Sequence, residues 1–224
     1  MRALYKFGKK AKVAYISHLD LQRFMQMALR RTDLPAAYSQ GFNPHPLISF
    51  ASALATGWTS EAEIVDIKMA RDIDEEFAFS QMKRALPPDI PLLATRLVSD
   101  SFPALMAKLE MADYEIKLKN ARAYESAIDG FMKSESVMAM RKTKSGEKLT
   151  DIRPMAVTAH VLDDGTILAR LRLSEKMTLK PDLFIRTLCE TGNIDVDEDL
   201  SIHRLRLLTT GKNGEAEDLF TCVP

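Results

Sequence analysis

The sequence predicts an α+β protein built from two successive βαββαβ halves. Two observations carry that reading: short apolar stretches alternate between period 2 and period 3.6 along the whole chain, and the same order of elements is met twice; the length, 224 residues, suits one large domain or two of roughly 100 residues each. The first half is placed at residues 1–99, a connector at 100–113, and the second half with a polar tail at 114–224.

In the first half, Leu4 to Phe7 and Lys12 to Ile16 read as extended chain around Gly8. Ser17 to Arg31 reads as a helix, because Leu21, Phe24, Met25, Ala28 and Leu29 recur at helical spacing and Ser17 with Asp20 forms a capping start. Pro35 and the run Gly41-Phe42-Asn43-Pro44-His45-Pro46 interrupt regular structure before a strand at Leu47 to Ala51. Val65, Ile67 and Met69 mark one face of a strand at Glu63 to Met69. Phe79, Met82 and Leu86 mark a helix at Asp74 to Leu86, stopped by Pro87-Pro88, and Leu92 to Val98 closes the half as a strand.

Asp100-Ser101-Phe102-Pro103 opens the connector, and Tyr114 begins a second pass. Tyr114, Ile116 and Leu118 alternate with charged residues, as in a half-buried strand, and Tyr124, Ala127, Ile128 and Phe131 share a helical face. Strands are expected at Val137 to Lys142, Met155 to Leu162 and Ile167 to Leu173, the last two joined by the tight turn Asp163-Asp164-Gly165. Pro181 suits the first turn of a helix that ends near Gly192-Asn193, and Ile202 to Leu208 is the final strand. Tandem ferredoxin-like halves account for this order, the second carrying an extra strand or hairpin excursion around Gly146 to Pro154.

Composition removes several chemistries. With 46% hydrophobic and 28% charged residues the chain can bury a core, and it has no run of about 18 apolar residues and no N-terminal leader pattern. A cytoplasmic protein without membrane contact is expected. Two cysteines, Cys189 and Cys222, are too few for a disulfide framework, a cysteine-rich zinc site or an iron–sulfur cluster. His-Glu-x-x-His, calcium-loop, Gly-x-Gly-x-x-Gly, P-loop and Gly-x-Ser-x-Gly patterns are all absent, so neither a metal nor a cofactor is expected.

The formal charge is zero, 31 basic against 31 acidic residues, yet basic and acidic blocks alternate along the chain. Residues 1–60 carry eight Lys/Arg against two Asp/Glu, and residues 181–224 carry four against nine. Local positive fields can recruit polyanions; a solvated surface with uneven charge is the plainer alternative.

Residues 15–50 concentrate side chains with no obvious packing duty: Tyr15, His18, Arg23, Arg30, Tyr38, Ser39, Asn43 and His45. Pro44 and Pro46 restrict the backbone on both sides of His45, which presets that loop, although rigid turns alone need the same residues. Tyr15, His18, Arg23, Tyr38, Ser39, Asn43 and His45 are therefore candidate ligand-binding residues. His18 and His45 are the candidates for acid–base catalysis should the fold bring them together.

The second half suggests a basic face. Lys117 with Lys119, Arg170 with Arg172, and Arg204 with Arg206 would line one side of a sheet if their strands are neighbours. Arg141, Lys142, Lys144 and Lys148 add a basic hairpin, followed by Arg153. The face could follow a phosphate backbone, but it lacks the stacking aromatics that single-strand readers use.

Three segments carry a family resemblance: Tyr15 to Arg23 (Tyr-Ile-Ser-His-Leu-Asp-Leu-Gln-Arg), Leu34 to Ala51 through Gly41-Phe42-Asn43-Pro44-His45-Pro46, and Asp151-Ile152-Arg153-Pro154. They resemble the radical SAM-associated (radical SAM-linked) domain family of unknown function, over nearly the whole chain. The resemblance implies a protein found alone or fused to radical SAM or ribonuclease E/G-type proteins. The chain has no Cys-x-x-x-Cys-x-x-Cys, so a partner would supply any radical chemistry.

The function expected on these grounds is a non-catalytic accessory module. It would bind structured RNA such as tRNA or rRNA and serve a separately encoded radical SAM or RNA-processing enzyme. Two alternatives stand beside it: a metal-independent ribonuclease using His18 or His45, and a protein-interaction scaffold without nucleic-acid binding.

Overall fold

The computed structural model describes residues 1–143, 146–195 and 199–222. The protein is a mixed α+β chain with mostly antiparallel strands. It divides into two compact units, Met1–Leu109 with Thr209–Pro224, and Glu110–Leu208. The break after Leu109 lies inside the expected connector. Residues 209–224, expected as the tail of the second half, group instead with the first unit.

The first unit runs β1 (Arg2–Lys9), α1 (His18–Leu29), β2 (Ile48–Phe50), β3 (Thr59–Lys68), α2 (Glu75–Ala85), β4 (Leu92–Val98) and the single turn α3 (Leu105–Lys108). Its strands lie in the order β4-β1-β3-β2, every pair antiparallel. Residues 12–16 correct one expectation: Ala11–Tyr15 is a 3-10 turn rather than a strand, closed by Val13 N–H to Lys10 O at 3.1 Å and Ile16 N–H to Val13 O at 3.2 Å. Local bonds win there because Lys12 to Ile16 lacks the polar–apolar alternation of a half-buried strand. Both helices start as read. The Ser17 hydroxyl accepts from Asp20 N–H (3.1 Å), and the Asp74 carboxylate accepts from Phe77 N–H (2.7 Å).

Alternation along β1 turns Ala3, Tyr5 and Phe7 inward, where they join Val65 and Ile67 of β3, Leu21, Met25 and Leu29 of α1, and Ala78 and Met82 of α2. Burying each of the larger aliphatic side chains contributes roughly 1.5–3 kcal/mol. Lys9 continues the same alternation. It is buried to 1% exposure and donates from Nζ to the Ile16 carbonyl at 3.0 Å, tying β1 to the entry of α1.

The second unit runs β5 (Met111–Lys117), α4 (Glu125–Lys133), β6 (Met138–Thr143), β7 (Gly146–Asp151), β8 (Ala156–Val161), β9 (Ile167–Arg172), α5 (Pro181–Gly192) and β10 (Ser201–Thr210). Its main strands lie in the order β10-β5-β9-β8, again antiparallel. The stretch 137–142, expected as a strand of the repeat, pairs only with β7 in a separate two-stranded ribbon, and β8 with β9 supplies the central hairpin. Gly165, at φ 86°, makes that hairpin's turn possible, with Leu162 N–H bonded to Thr166 O at 2.7 Å. α4 and α5 meet through an edge-on Phe131–Phe184 contact with centroids 5.2 Å apart, over Tyr114, Ile116, Ile167 and Leu171.

In the C-terminal stretch, β11 (Ala216–Asp218) follows a tight turn closed by Gly211 N–H to Glu215 O (2.7 Å). Asp218 pairs with Lys6 at 3.3 Å, and Leu219 and Phe220 are buried. These contacts are why a segment that reads as a polar tail belongs to the first unit.

Candidate functional site

In the first unit the loop after α1 is an ordered narrow ribbon. Ala37 N–H bonds Lys68 O (2.8 Å), Leu47 N–H bonds Ala37 O (2.8 Å), and Ser39 N–H bonds His45 O (2.9 Å). Gly41, at φ 119°, turns the tip, where Phe42, Asn43 and Pro44 are exposed and Phe42 is wholly so. The Ser39 hydroxyl accepts from His45 N–H at 3.1 Å and shares a 2.9 Å bond with His45 Nδ1. With that hydroxyl donating, the neutral His45 ring carries its proton on Nε2. Tyr38, beside Pro46 across the ribbon, is 42% exposed.

The start of α1 holds the other candidates. His18 packs edge-on against Phe50 at 5.1 Å. His45 is held by Ser39 and His18 packs on Phe50, so different partners position the two imidazoles. Arg23 is engaged by Asp20 at 3.3 Å, and Asp20 also receives the Ser17 hydroxyl (2.7 Å), which lowers its carboxyl below the usual value. Tyr15 projects into solvent. Lys9 and Glu63, both 1% exposed, went unrecognised in the sequence, although Lys9 continues the Ala3-Tyr5-Phe7 alternation. The register Phe7↔Glu63 places Glu63 on that same inward face.

In the second unit the proposed basic face is largely neutralised by its own carboxylates. Register sets Asp113 opposite Arg170 on β9 and Arg206 on β10. Arg170 donates from Nε to Asp113 Oδ1 at 2.7 Å and from Nη2 to Oδ2 at 3.0 Å, while Arg206 donates from Nε to Oδ2 at 2.9 Å. The Asp113 hydrogen bonds strengthen the protonated state of Arg170. Arg172 pairs with Glu110 at 3.5 Å, Lys117 with Glu115 at 2.7 Å, and Lys119 with Asp199.

Arg204 corrects the expected six-cation face. The register of β10 against β5 shifts between Arg204 and Arg206, so Arg204 shares the buried side with Tyr114 and is 1% exposed. Arg153 is also committed inward. It donates from Nη1 to Ala156 O (3.0 Å) and from Nη2 to Met132 O (2.7 Å). Asp151 accepts from the backbone N–H groups of Val137 and Arg153, both at 3.0 Å, and these bonds lower its carboxyl. The Asp151-Ile152-Arg153-Pro154 motif thus clamps the base of the β6–β7 ribbon.

The ribbon's cations are differently placed. Arg141 and Lys142 border a cavity of about 290 Å³ completed by Thr178, Lys180, Asp182, Leu183 and Arg186. Among the described residues none of Arg141, Lys142, Lys180 and Arg186 has an ion-pair partner. Lys180 and Arg186 were not singled out in the sequence. They lie 29 and 35 residues beyond the ribbon's last residue, Asp151, and only the docking of α5 beside it brings them together. Lys144 lies outside the described residues. On the ribbon itself Met138, Met140 and Leu149 are about half exposed and border a second groove of 290 Å³ with Leu183.

Both cysteines are free thiols, Cys189 buried against the Tyr124 hydroxyl at 3.2 Å, and burial raises the Cys222 thiol. Among the described residues no three His, Cys, Asp or Glu side chains gather as metal ligands, and no helix is long and apolar enough to cross a membrane. A comparison with curated proteins finds no match. Residues 2–181 match the family described as "Uncharacterized protein conserved in bacteria (DUF2344)", a span that takes in the Ser39–His45 clamp and the Asp151–Arg153 anchor, and the chain belongs to that family.

Proposed function

We propose that the protein is a non-catalytic accessory module that binds structured RNA, such as tRNA or rRNA, and serves a separately encoded radical SAM or RNA-processing enzyme in the cytoplasm. The observation that carries this reading is the group of four cations, Arg141, Lys142, Lys180 and Arg186, which have no ion-pair partner among the described residues and border one cavity. Unpaired cations release counterions from a phosphate backbone on binding, whereas cations already held by carboxylates gain less from the exchange. The ribbon is the phosphate-contacting element, and the Asp113 face contributes little.

The two units read as ferredoxin-like repeats, supported by the recurring strand order β4-β1-β3-β2 and β10-β5-β9-β8. The resemblance to the radical SAM-linked family supports the choice of partner. The half-exposed Met138, Met140 and Leu149 offer that enzyme an apolar contact. The first-unit loop, with Tyr38, Asn43 and His45 on a stiff ribbon, is a secondary contact for RNA.

Crosslinking in the native host followed by sequencing of attached RNA tests the reading. Recovery of a defined set of structured RNAs is expected, lost when Arg141, Lys142, Lys180 and Arg186 are replaced by Ser. Protein crosslinks without RNA, unchanged by those replacements, would leave the scaffold alternative in its place.

A further inference from the structure

The ribbon cavity has more charge than a passing phosphodiester needs. Among the described residues four cations and one carboxylate, Asp182, border about 290 Å³, a formal excess of three positive charges in that lining, and Lys142 and Arg186 also border the adjoining groove with Glu147 and Glu190. This volume is at the small end of the range for ligand pockets, about 300–1,000 Å³, and suits one phosphoryl-sized group with its neighbours rather than a whole oligonucleotide. An internal phosphodiester carries one negative charge. A protein that follows a strand spreads its cations along the path, about one per phosphate. Cations converging on one small volume repel one another unless the occupant carries two or more charges.

The cavity wall supplies suitable donors. The first backbone bond within α5 is Phe184 N–H to Lys180 O at 3.0 Å, and no side chain caps the helix, so the amides of Asp182 and Leu183 precede the hydrogen-bonded ladder. Thr178 shapes the wall without adding a donor, because its hydroxyl is committed to Ser174 O at 2.7 Å. The cationic side chains are the main determinant, and the helix start adds to them.

We infer that the cavity bordered by Arg141, Lys142, Lys180 and Arg186 binds a terminal phosphate monoester, the phosphorylated end of an RNA strand. A monoester carries about −1.5 to −2 charge near neutral pH and so offsets more of the surplus than the single charge of a diester. This inference rests on the RNA reading above and names the part of the RNA that the site selects. A free nucleotide offers the same chemistry, and the experiment separates the two sources.

The test measures binding of the full chain to one hairpin RNA prepared with hydroxyl ends, with a 5′-phosphate, and with a 3′-phosphate. It is run at fixed salt and repeated with adenosine monophosphate against adenosine. A preference of at least tenfold for one phosphorylated end is expected, abolished in Lys180→Ser/Arg186→Ser with an unchanged melting temperature. Arg141→Gln provides a second variant on another element. Equal affinity for phosphorylated and hydroxyl-ended RNA overturns the monoester site while leaving RNA binding standing. Failure of every RNA to bind overturns both readings, unless adenosine monophosphate alone binds through Lys180 and Arg186, which keeps the monoester site and assigns it to a nucleotide.

Discussion

The outer face of the second unit's sheet and the cavity beside its ribbon use the same residue types to opposite effect. On the sheet, carboxylates meet the cations: register sets Asp113 beside Arg170 and Arg206, alternation along β5 sets Glu115 on the same face as Lys117, and Glu110 reaches Arg172. At the cavity, Arg141, Lys142, Lys180 and Arg186 come from the ribbon and from α5 and form no ion pair among the described residues, although register sets Glu147 across the ribbon from Lys142. Counting basic residues therefore does not locate the cations that lack an ion pair among the described residues. What matters is whether the backbone has already supplied a counter-charge, because an exposed pair is worth little to stability yet must be broken before the cation can serve a ligand.

The largest expected effect breaks or keeps this contrast directly. Replacing Arg141, Lys142, Lys180 and Arg186 with Ser should lower RNA affinity on the order of a hundredfold near physiological salt and flatten the log–log salt slope by about 3. Arg172→Ser/Arg206→Ser should change affinity by less than about threefold in the same titration. Comparable losses from both variants would erase the distinction.

Next in size is Asp113→Asn, which removes the counter-charge shared by two guanidinium groups. Because Asp113 is nearly buried while Arg206 is half exposed, a stability loss of roughly 2 kcal/mol is expected by urea unfolding, below the cost of breaking a fully buried pair. The same variant should bind RNA more tightly than wild type, since Arg206 becomes available. Unchanged or weaker binding in a folded Asp113→Asn protein would count against the idea that pairing silences this face.

A smaller effect tests whether the first-unit ribbon is a clamp. Ser39→Ala removes the two hydrogen bonds of the Ser39 hydroxyl to His45, leaves the backbone bond between them, and should cost about 1 kcal/mol. If the loop only positions its neighbours, RNA affinity should follow that stability loss. A loss of binding with no change in melting temperature would make the loop a direct contact.

The smallest effect is a pH response at the ribbon's base. Asp151 is lowered in the folded protein by its bonds from the Val137 and Arg153 amides. Its contribution is therefore complete above the unfolded carboxylate value, about 4, and is lost as pH falls through the lower folded value. Hydrogen exchange at the Val137 and Arg153 amides, corrected for intrinsic rates, should accelerate in that acidic window. Asp151→Asn should show little of this pH dependence.

Period and punctuation made most elements legible. Leu92–Val98 and Pro181–Gly192 fall where alternation and the Pro–Gly boundaries place them. Three features escaped because they depend on register or docking. The irregularity between Arg204 and Arg206 leaves the alternation of β10 intact in the sequence while turning Arg204 inward. The pairing of Asp113 with Arg170, 57 residues away, needs the neighbour relation of β5 and β9, which one strand's pattern does not contain. Lys180 and Arg186 look like ordinary solvated helix charges until α5 lies beside the ribbon.

Among the described residues the ribbon has two strands, so neither has a second strand on its outer edge, and it also displays Met138, Met140 and Leu149. Such a surface is a template on which another chain could add a strand. Arg141, Lys142, Glu147 and Lys148, two facing pairs across the ribbon, make that addition costly, because a stacked copy would bring its own cations alongside. The charges proposed to receive an anion at the cavity would then also oppose edge-to-edge association, and a bound polyanion, by neutralising them, would weaken that opposition.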